Sequence, residues 1–376
     1  MKNLFLTLLT TITLLAFSQK TTKTLDYDGV TRDYIEYVPA IYDASEAVPL
    51  VICLHGLGDT MENFYDIGMN YVADTANFIT LTPEALEGFV YGSSVGNAWN
   101  SGASAYGQVI NEDIDDVGFI MQLIEETKIL YNIDETRVFI TGFSMGGFMS
   151  NRMACEMSGT FTAIASVSGT IGTGVSCNPE FPIPVCHIHG TNDGTVAYTG
   201  NSYGNDAEDL VEYWRNFNNC DLTPTVTNLP DLAADERTVD YYYYGNGDNN
   251  TTVEFYKVNN GEHDWMYLPN YDISYTLEIW KFFRKHSNLS VAVPELAPEN
   301  KIEIYPNPAK NFIVIASEAW QSQANTVELY NLQGQLLKQI VISNKAETSL
   351  KIIIRDLEKG IYFVKIGTDI QKLIKE

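Results

Sequence analysis

The chain predicts an α/β domain, with a mostly parallel sheet flanked by helices, followed by a small all-β sandwich. Three observations predict this. Short apolar runs alternate with helical patterns up to residue 286. The texture then breaks at a Pro-containing stretch without periodicity, SNLSVAVPELAPEN (287–300). Beyond it come only short alternating segments separated by Asn-Pro, Gln-Gly and Lys-Gly turns. Strands alternating with helices favour a parallel sheet covered on both faces, whereas closely spaced strands with turn signals favour a sandwich.

The elements follow in order. MKNLFLTLLTTITLLAFSQ opens the chain with one Lys, an apolar stretch from Leu4 to Phe17, and small residues at Ala16 and Ser18. That composition predicts a secretory signal peptide over 1–18, because the stretch is too short and too Thr-broken for a membrane anchor. No later segment is apolar enough to span a bilayer. VPLVICLHG (48–56) and FITLTPEAL (78–86) read as strands. Residues 112–131 place apolar residues at helical spacing behind an acidic first turn, which suits the helix dipole. RVFITGF, AIASVSG, PVCHIHG and VEFYKV read as further strands, with helices over 145–157, 206–217 and 273–285. The expected domains are therefore 19–286, a linker over 287–300, and a β-sandwich over 301–376.

The formal net charge is −25, carried almost wholly by the body before the linker. A body that acidic repels phosphate backbones, which argues against nucleic acid as a partner. Five cysteines cannot all pair within one chain. Cys53 and Cys186 lie in apolar strand-like runs and Cys155 in a helical one, so those three read as core residues. Cys177 and Cys220 lie in polar, turn-rich segments, and an exported chain is expected to join them in a disulfide.

Three segments fit G-x-S-x-G: Gly92–Gly96, Gly142–Gly146 and Gly200–Gly204. Only the second is entered from a strand-like run and left through a helix-like one. That context lifts Ser144 onto a sharp strand-to-helix turn, with a helix N-terminus beneath it to favour developing negative charge. Ser94 and Ser202 read as loop serines.

A serine nucleophile requires a base and an orienting acid, here in the order Ser, Asp, His. The histidines are His55, His187, His189, His263 and His286. The first, second and third precede any acid that could come next in the order, and His286 ends a helix, where a cation is expected. His263, in NNGEHDW, remains. Asp193 follows the strand PVCHIHG directly. Asp264 is adjacent to His263 and poorly placed to reach its ring, and Asp248 sits in a turn that wants Asp for its own sake. His187 and His189 alternate on a strand without a third ligand at convincing spacing, so packing is expected there rather than a metal. No motif calls for a cofactor. An oxyanion hole needs two backbone N–H groups. One is expected from Met145 and the other from Leu57, with His55 and Gly56 shaping the turn.

The run DDVGFIMQLIEETKILYNIDETRVFITGFSMGGFMSNRMACEM, with LHG before it, HGTNDGTVAY after it and a late GEHDW, resembles the secreted α/β-hydrolase esterases. These include polyhydroxybutyrate depolymerases and feruloyl and acetylxylan esterases. The likeness covers 45–286 and implies the α/β-hydrolase fold, a triad of Ser144, Asp193 and His263, and an oxyanion hole at the Leu57 and Met145 amides. Family members often carry other residues at Met145, Leu57, Asp59 and Met266, but backbone donors survive such changes. YPNPAKNFIVI, VELYNLQGQLL and the final GIYFVKIGTDIQKLIKE are similar to C-terminal sorting domains read by the type IX secretion system, which implies that machinery as a partner and export through the periplasm.

The expected activity is hydrolysis of esters attached to a polymer. Feruloyl esters of plant polysaccharide rank first, polyhydroxybutyrate or another polyester second, and acetylated xylan third. Trp99, Tyr198, Tyr203 and Trp265 are expected to offer aromatic surfaces to the substrate, some of them serving only as packing. A peptidase could use the same triad, but no accessory domain or S1-like pocket supports it. A non-catalytic surface binding protein would keep the fold and lose a triad member, and all three members are present.

Overall fold

The computed structural model describes residues 19–233, 235–266, 270–286, 303–305, 309–316, 326–331, 336–341, 349–366 and 369–375. The expected signal peptide (1–18) and linker (287–300) lie outside these residues. The chain divides into two compact units, Met1–Ser290 and Val291–Glu376.

The first unit opens with an antiparallel pair, β1 (Gln19–Tyr27) and β2 (Val30–Val38). Strand β3 (Val48–Leu54) leads through helices α1 (Met61–Tyr65) and α2 (Met69–Ala76) to β4 (Ile79–Pro83). Two small hairpins follow, β5 (Glu87–Val90) with β6 (Ser93–Asn97), and β7 (Ser104–Ala105) with β8 (Gln108–Val109). Then come α3 (Asp116–Leu130), β9 (Ile133–Phe143), α4 (Met145–Met157), β10 (Ala163–Val167), β11 (Val185–Gly190) and α5 (Ala207–Phe217). The unit closes with β12 (Thr225–Asn228), β13 (Thr238–Tyr244), β14 (Val253–Asn259) and α6 (Tyr275–Phe283).

Ten strands form one sheet in the order β1-β2-β4-β3-β9-β10-β11-β14-β13-β12. The run from β4 to β14 is parallel, and antiparallel pairs extend both edges. The parallel strands are apolar without interruption because helices cover both faces. Along β3, Leu50, Ile52 and Leu54 join one core, packed against α3, α4 and α5. Val51 and Cys53 join the other, under α1, α2 and α6. The period-2 alternation of the strand thus feeds two separate cores. The carboxyl ends of β9, β11 and β14 emerge along one edge of the sheet, and the loops that follow carry the candidate site.

The acidic turn read from the sequence does more than oppose a dipole. Asp115 caps α3, accepting from Gly118 N at 2.9 Å. Asp116 is fully buried and pairs with buried Arg32 at 2.7 Å.

The second unit holds a three-stranded sheet, β15 (Glu303–Tyr305), β16 (Phe312–Ala316) and β19 (Ser349–Ile353), in the order β15-β16-β19. Its partner is a four-stranded sheet of β17 (Thr326–Asn331), β18 (Leu336–Val341), β20 (Gly360–Ile366) and β21 (Asp369–Lys375), in the order β18-β17-β20-β21. Within each sheet the described pairings are antiparallel, and one parallel bridge joins Ala309 to Lys375. Ile313 and Ile352 of one sheet share a core with Val327, Leu329, Val364 and Leu373 of the other, which makes a small sandwich.

The disulfide expectation is corrected. Cys177 pairs with Cys155, near the end of α4, and Cys220 is a buried free thiol, as are Cys53 and Cys186. The segment carrying Cys177 folds back over α4 and is pinned there by Tyr213, whose hydroxyl donates to Cys177 O at 2.9 Å. Cys220 instead packs with its Sγ 3.8 Å from Thr251 O. Non-reducing peptide mapping is expected to recover Cys155 joined to Cys177 and no Cys177–Cys220 peptide. Cys155→Ser is expected to destabilise the unit by roughly 3 kcal/mol, from the chain entropy of a loop of this size.

Candidate active site

Ser144 stands between β9 and α4 with φ 53° and ψ −119°, a left-handed conformation that costs a non-glycine residue about 1–3 kcal/mol. Its neighbours force the turn. A Cβ on Gly142 would lie 2.3 Å from the Gly146 carbonyl group, and one on Gly146 would lie 2.1 Å from Leu54 O. Only glycine permits β3, β9 and α4 to approach so closely. Ser144 N donates to Val167 O at 2.8 Å, tying the turn to β10.

The serine opens into a cleft of about 260 Å³. Ser144, Met145, Leu57 and His263 all line it, along with Phe143, Phe148, Val196 and Tyr203. His263 follows β14, and its ring packs 4.7 Å from that of Phe143. Its Nδ1 lies 2.7 Å from Oδ2 of Asp193, in the loop after β11. With a carboxylate as its partner, Nδ1 carries the hydrogen, which leaves Nε2 as a base. Burial pushes the Asp193 carboxyl up, but hydrogen bonds from His189 and His263 outweigh it and hold the group well below the usual carboxylate range. Thr195 N and Val196 N donate to its Oδ1 at 2.9 and 2.8 Å.

Met145 is the first residue of α4, so its N–H has no acceptor within the helix. The loop carrying Leu57 is built from behind. His55 Nδ1 donates to Gly56 O at 2.7 Å, and His55 Nε2 accepts from Ala85 N at 3.0 Å. Burial lowers the His55 pKa, in keeping with the neutral tautomer those partners require. Gly58 N donates to Asn97 O at 2.8 Å, which ties the loop to β6.

The aromatic expectations divide. Tyr203 lines the cleft. Trp99 is fully buried, and its Nε1 donates to His55 O at 3.0 Å; it braces the Leu57 loop instead of meeting substrate. Trp265 is also buried, donating from Nε1 to Thr276 Oγ1 at 3.0 Å, with its ring edge-on to Phe64. Tyr198 packs edge-on against His189 and donates to Glu208 Oε1 at 2.8 Å, away from the cleft wall. Large aromatic rings close to site motifs were drawn into the core because burying them is worth more than exposing them.

Two exposed tyrosines, outside the aromatic residues expected above, stand on the hairpins. The turns joining β5 to β6 and β7 to β8 each have two residues at positive φ, Tyr91-Gly92 (47° and 79°) and Tyr106-Gly107 (51° and 83°). Such turns favour Asn-Gly, yet here tyrosines occupy the first position, 73% and 86% exposed. The Tyr91 hydroxyl donates to Tyr106 O at 3.0 Å, joining the two tips. Ala103, immediately before β7, lines the cleft. A Tyr-Gly step in a hairpin turn, where Asn-Gly is usual, was the available signal.

Ser94 and Ser202 lie outside the cleft lining, and Ser94 Oγ donates to Glu87 Oε1 at 2.6 Å on an exposed hairpin. His286, expected as a cation at a helix end, is a buried ring. Burial, and then Lys285, lower its pKa to about 4, and Thr252 Oγ1 lies 3.3 Å from its Nε2. Because the unfolded chain binds this proton near pH 6.5 and the folded chain only near 4, stability is full above about 6.5 and falls as the pH drops through that window. Urea unfolding is expected to show a loss of up to about 3 kcal/mol from this group by pH 4, and His286→Gln is expected to reduce the slope.

Comparisons with known proteins match segments of both units. Residues 38–224 match the Phospholipase/Carboxylesterase family, and residues 303–376 match the secretion system C-terminal sorting domain. A bifunctional acetylxylan esterase/xylanase from Neocallimastix patriciarum is 28% identical over 238 residues, which cover 62% of this chain and 31% of the relative. A probable feruloyl esterase C from Aspergillus clavatus is 32% identical over 170 residues, covering 45% and 57%. Feruloyl esterase B from Piromyces equi is 29% identical over 175 residues, covering 45% and 30%. The chain thus spans less than two thirds of the length of each of these relatives. Among the described residues, no helix is long and apolar enough to cross a membrane. The chain is thus similar to phospholipases and carboxylesterases over 38–224, on an α/β-hydrolase fold, and to secretion system sorting domains over 303–376.

Proposed function

We propose that the chain is a secreted serine carboxylesterase acting on esters carried by plant polysaccharide, feruloyl esters first and acetyl esters next. The observation that carries this reading is the cleft wall shared by Ser144 and His263, with buried Asp193 at 2.7 Å behind the imidazole. Ser144 Oγ attacks the ester carbonyl carbon while His263 Nε2 takes its proton. Asp193 holds the Nδ1–H and stabilises the imidazolium. The Leu57 and Met145 amides bind the carbonyl oxygen as it becomes negative. Collapse of the tetrahedral intermediate expels the alcohol, which leaves with the proton from His263. Water, activated by the same imidazole, then hydrolyses the acyl-enzyme and frees the acid.

The cleft supports the substrate class. Its apolar walls and its size, below the usual range for drug-sized ligands, suit one aromatic or short acyl group and leave little room for a long acyl chain. Asp59 lies at the wall and disfavours an anionic acyl group. Tyr91 and Tyr106 are exposed on the two hairpins, one of which follows Ala103 of the cleft wall, and offer surfaces on which the sugars of a bound polymer can pack. The relatives named for acetylxylan and feruloyl ester hydrolysis point the same way. The sorting domain supports export through the periplasm by the type IX machinery.

A comparison of kcat/KM on methyl ferulate and feruloylated arabinoxylan with release from acetylxylan and polyhydroxybutyrate film tests the reading. Feruloyl substrates are expected to lead. Activity confined to long-chain triglycerides or to peptide bonds would contradict it, and preference for the polyester film would move the substrate to that polymer.

A further inference from the structure

Behind the Asp193 carboxylate lies a chain of buried side chains that the esterase mechanism above does not use. Ser166 on β10 and His187 and His189 on β11 are all fully buried. Ser166 Oγ lies 2.8 Å from His187 Nδ1, and His187 Nε2 lies 3.1 Å from His189 Nδ1. His189 Nε2 lies 2.8 Å from Val196 O and 3.4 Å from Asp193 Oδ2. Residues 187 and 189 share one face of the strand by its period of two, so the rings meet edge to face, 5.2 Å apart.

With both rings neutral, the acceptor end of this chain fixes its hydrogens. His189 Nε2 faces two acceptors, a carbonyl and a carboxylate, so it must carry hydrogen. In a neutral ring its Nδ1 is then a bare acceptor, so His187 Nε2 must donate to it. His187 Nδ1 is bare in turn and accepts from the Ser166 hydroxyl. The hydrogen bonds therefore all run one way, from Ser166 through His187 and His189 to Asp193. Burial and the neighbouring His189 keep His187 neutral, as this order requires.

We propose that His189, held in its Nε2–H tautomer by His187 and Ser166, is a positioning residue for Asp193. This rests on the reading of Ser144, His263 and Asp193 as a triad. The same N–H binds Val196 O, so one imidazole fixes both the carboxylate and the loop whose amides grip its other oxygen. Asp193 Oδ2 is thereby left with a single direction of approach for His263 Nδ1–H. Without the His189 donor, Oδ2 loses its contact on the side away from His263, and the carboxylate can pivot about the oxygen that the Thr195 and Val196 amides hold. The His263 ring follows it, and Nε2 moves off the line to Ser144. A misplacement on the scale of 1 Å costs about 10²-fold in rate.

Two measurements on the full chain test this. The first is ¹⁵N-histidine NMR, which reads tautomers without any substrate. His187 and His189 are both expected as neutral Nε2–H rings, with a low-field proton on His263 Nδ1. An Nδ1–H tautomer at His189 would overturn the inference, whatever the fate of the esterase reading. The second compares His189→Phe, which keeps a ring and removes the donor, with His189→Gln, whose amide nitrogen can reach the same acceptors. His189→Phe is expected to lower kcat on 4-nitrophenyl acetate by about 10–100-fold with KM little changed, and to lose or shift the His263 proton. His189→Gln is expected to recover most of both. Wild-type kcat and an unshifted His263 proton in a folded His189→Phe protein would overturn the proposal. If that variant does not fold, the wild-type tautomers decide. If the wild type cleaves no ester, the triad reading fails on its own and the NMR measurement still judges the hydrogen-bond chain.

Discussion

Ser144→Ala is expected to lower kcat on 4-nitrophenyl acetate by on the order of 10⁶-fold, leaving the small residual catalysis that an oxyanion hole and binding alone provide. The size of the effect follows from the turn. Strain at φ 53° survives there because Gly142 and Gly146 let three elements close around it. A side chain that only packed would not need that conformation. Alanine fits the same backbone, so the variant is expected to fold and bind substrate with a similar KM. Ser94→Ala and Ser202→Ala serve as controls and are expected to keep wild-type rates. A Ser144→Ala enzyme within about tenfold of wild type would contradict the assignment, since a nucleophile's loss is far larger than that.

Asp193→Asn is expected to cost roughly 10⁴-fold in kcat with the fold intact. The carboxylate accepts at both oxygens, from Thr195 N and Val196 N on Oδ1 and from His263 on Oδ2, with His189 Nε2 3.4 Å from that second oxygen. The amide is nearly isosteric but brings its own N–H. The Oδ1 amides retain its oxygen, so its NH₂ is turned toward His263 and meets Nδ1 as a donor. The imidazole then carries its hydrogen on Nε2 and presents no base to Ser144. Kinetics at pH 7 to 8, with a thermal melt as control, check this. Retention of a tenth of wild-type kcat would show that Asp193 does not set the His263 tautomer.

Much of this architecture is legible where the information is local. The β3 run VPLVICL, uninterruptedly apolar, predicts a strand buried on both faces, and it lies inside the parallel sheet, between β4 and β9. Helices over 145–157 and 206–217 appear as α4 and α5 within a residue of their expected bounds. Gly142 and Gly146 mark the turn because each glycine answers a steric demand within one loop. The edge strands escaped. β1 reads QKTTKTLDY, with exposed or half-buried side chains throughout, so nothing apolar announces it, and only pairing with β2 makes it a strand.

The misses share a cause, since each depends on which distant segment arrives alongside. Cys155 looked like a helix-core residue until the loop bearing Cys177 folded back across α4. Trp99 looked like a cleft aromatic, yet the His55 carbonyl it caps is 44 residues away in sequence. His187 and His189 read as packing, and they are buried. Their tautomers depend on Ser166 from the next strand and Asp193 from the next loop, partners that periodicity cannot reveal.

In the proposed reaction one serine, Ser144, activated by His263 and Asp193, carries the chemistry. Labelling the purified protein with a fluorophosphonate and mapping the adduct by tandem mass spectrometry tests it most directly. The reagent reacts with an activated hydroxyl and so does not depend on knowing the natural ester. One adduct is expected, on Ser144, absent from His263→Ala and reduced in Asp193→Asn. An adduct on Ser94 or Ser202, or labelling of Ser144 that persists unchanged in His263→Ala, would contradict it.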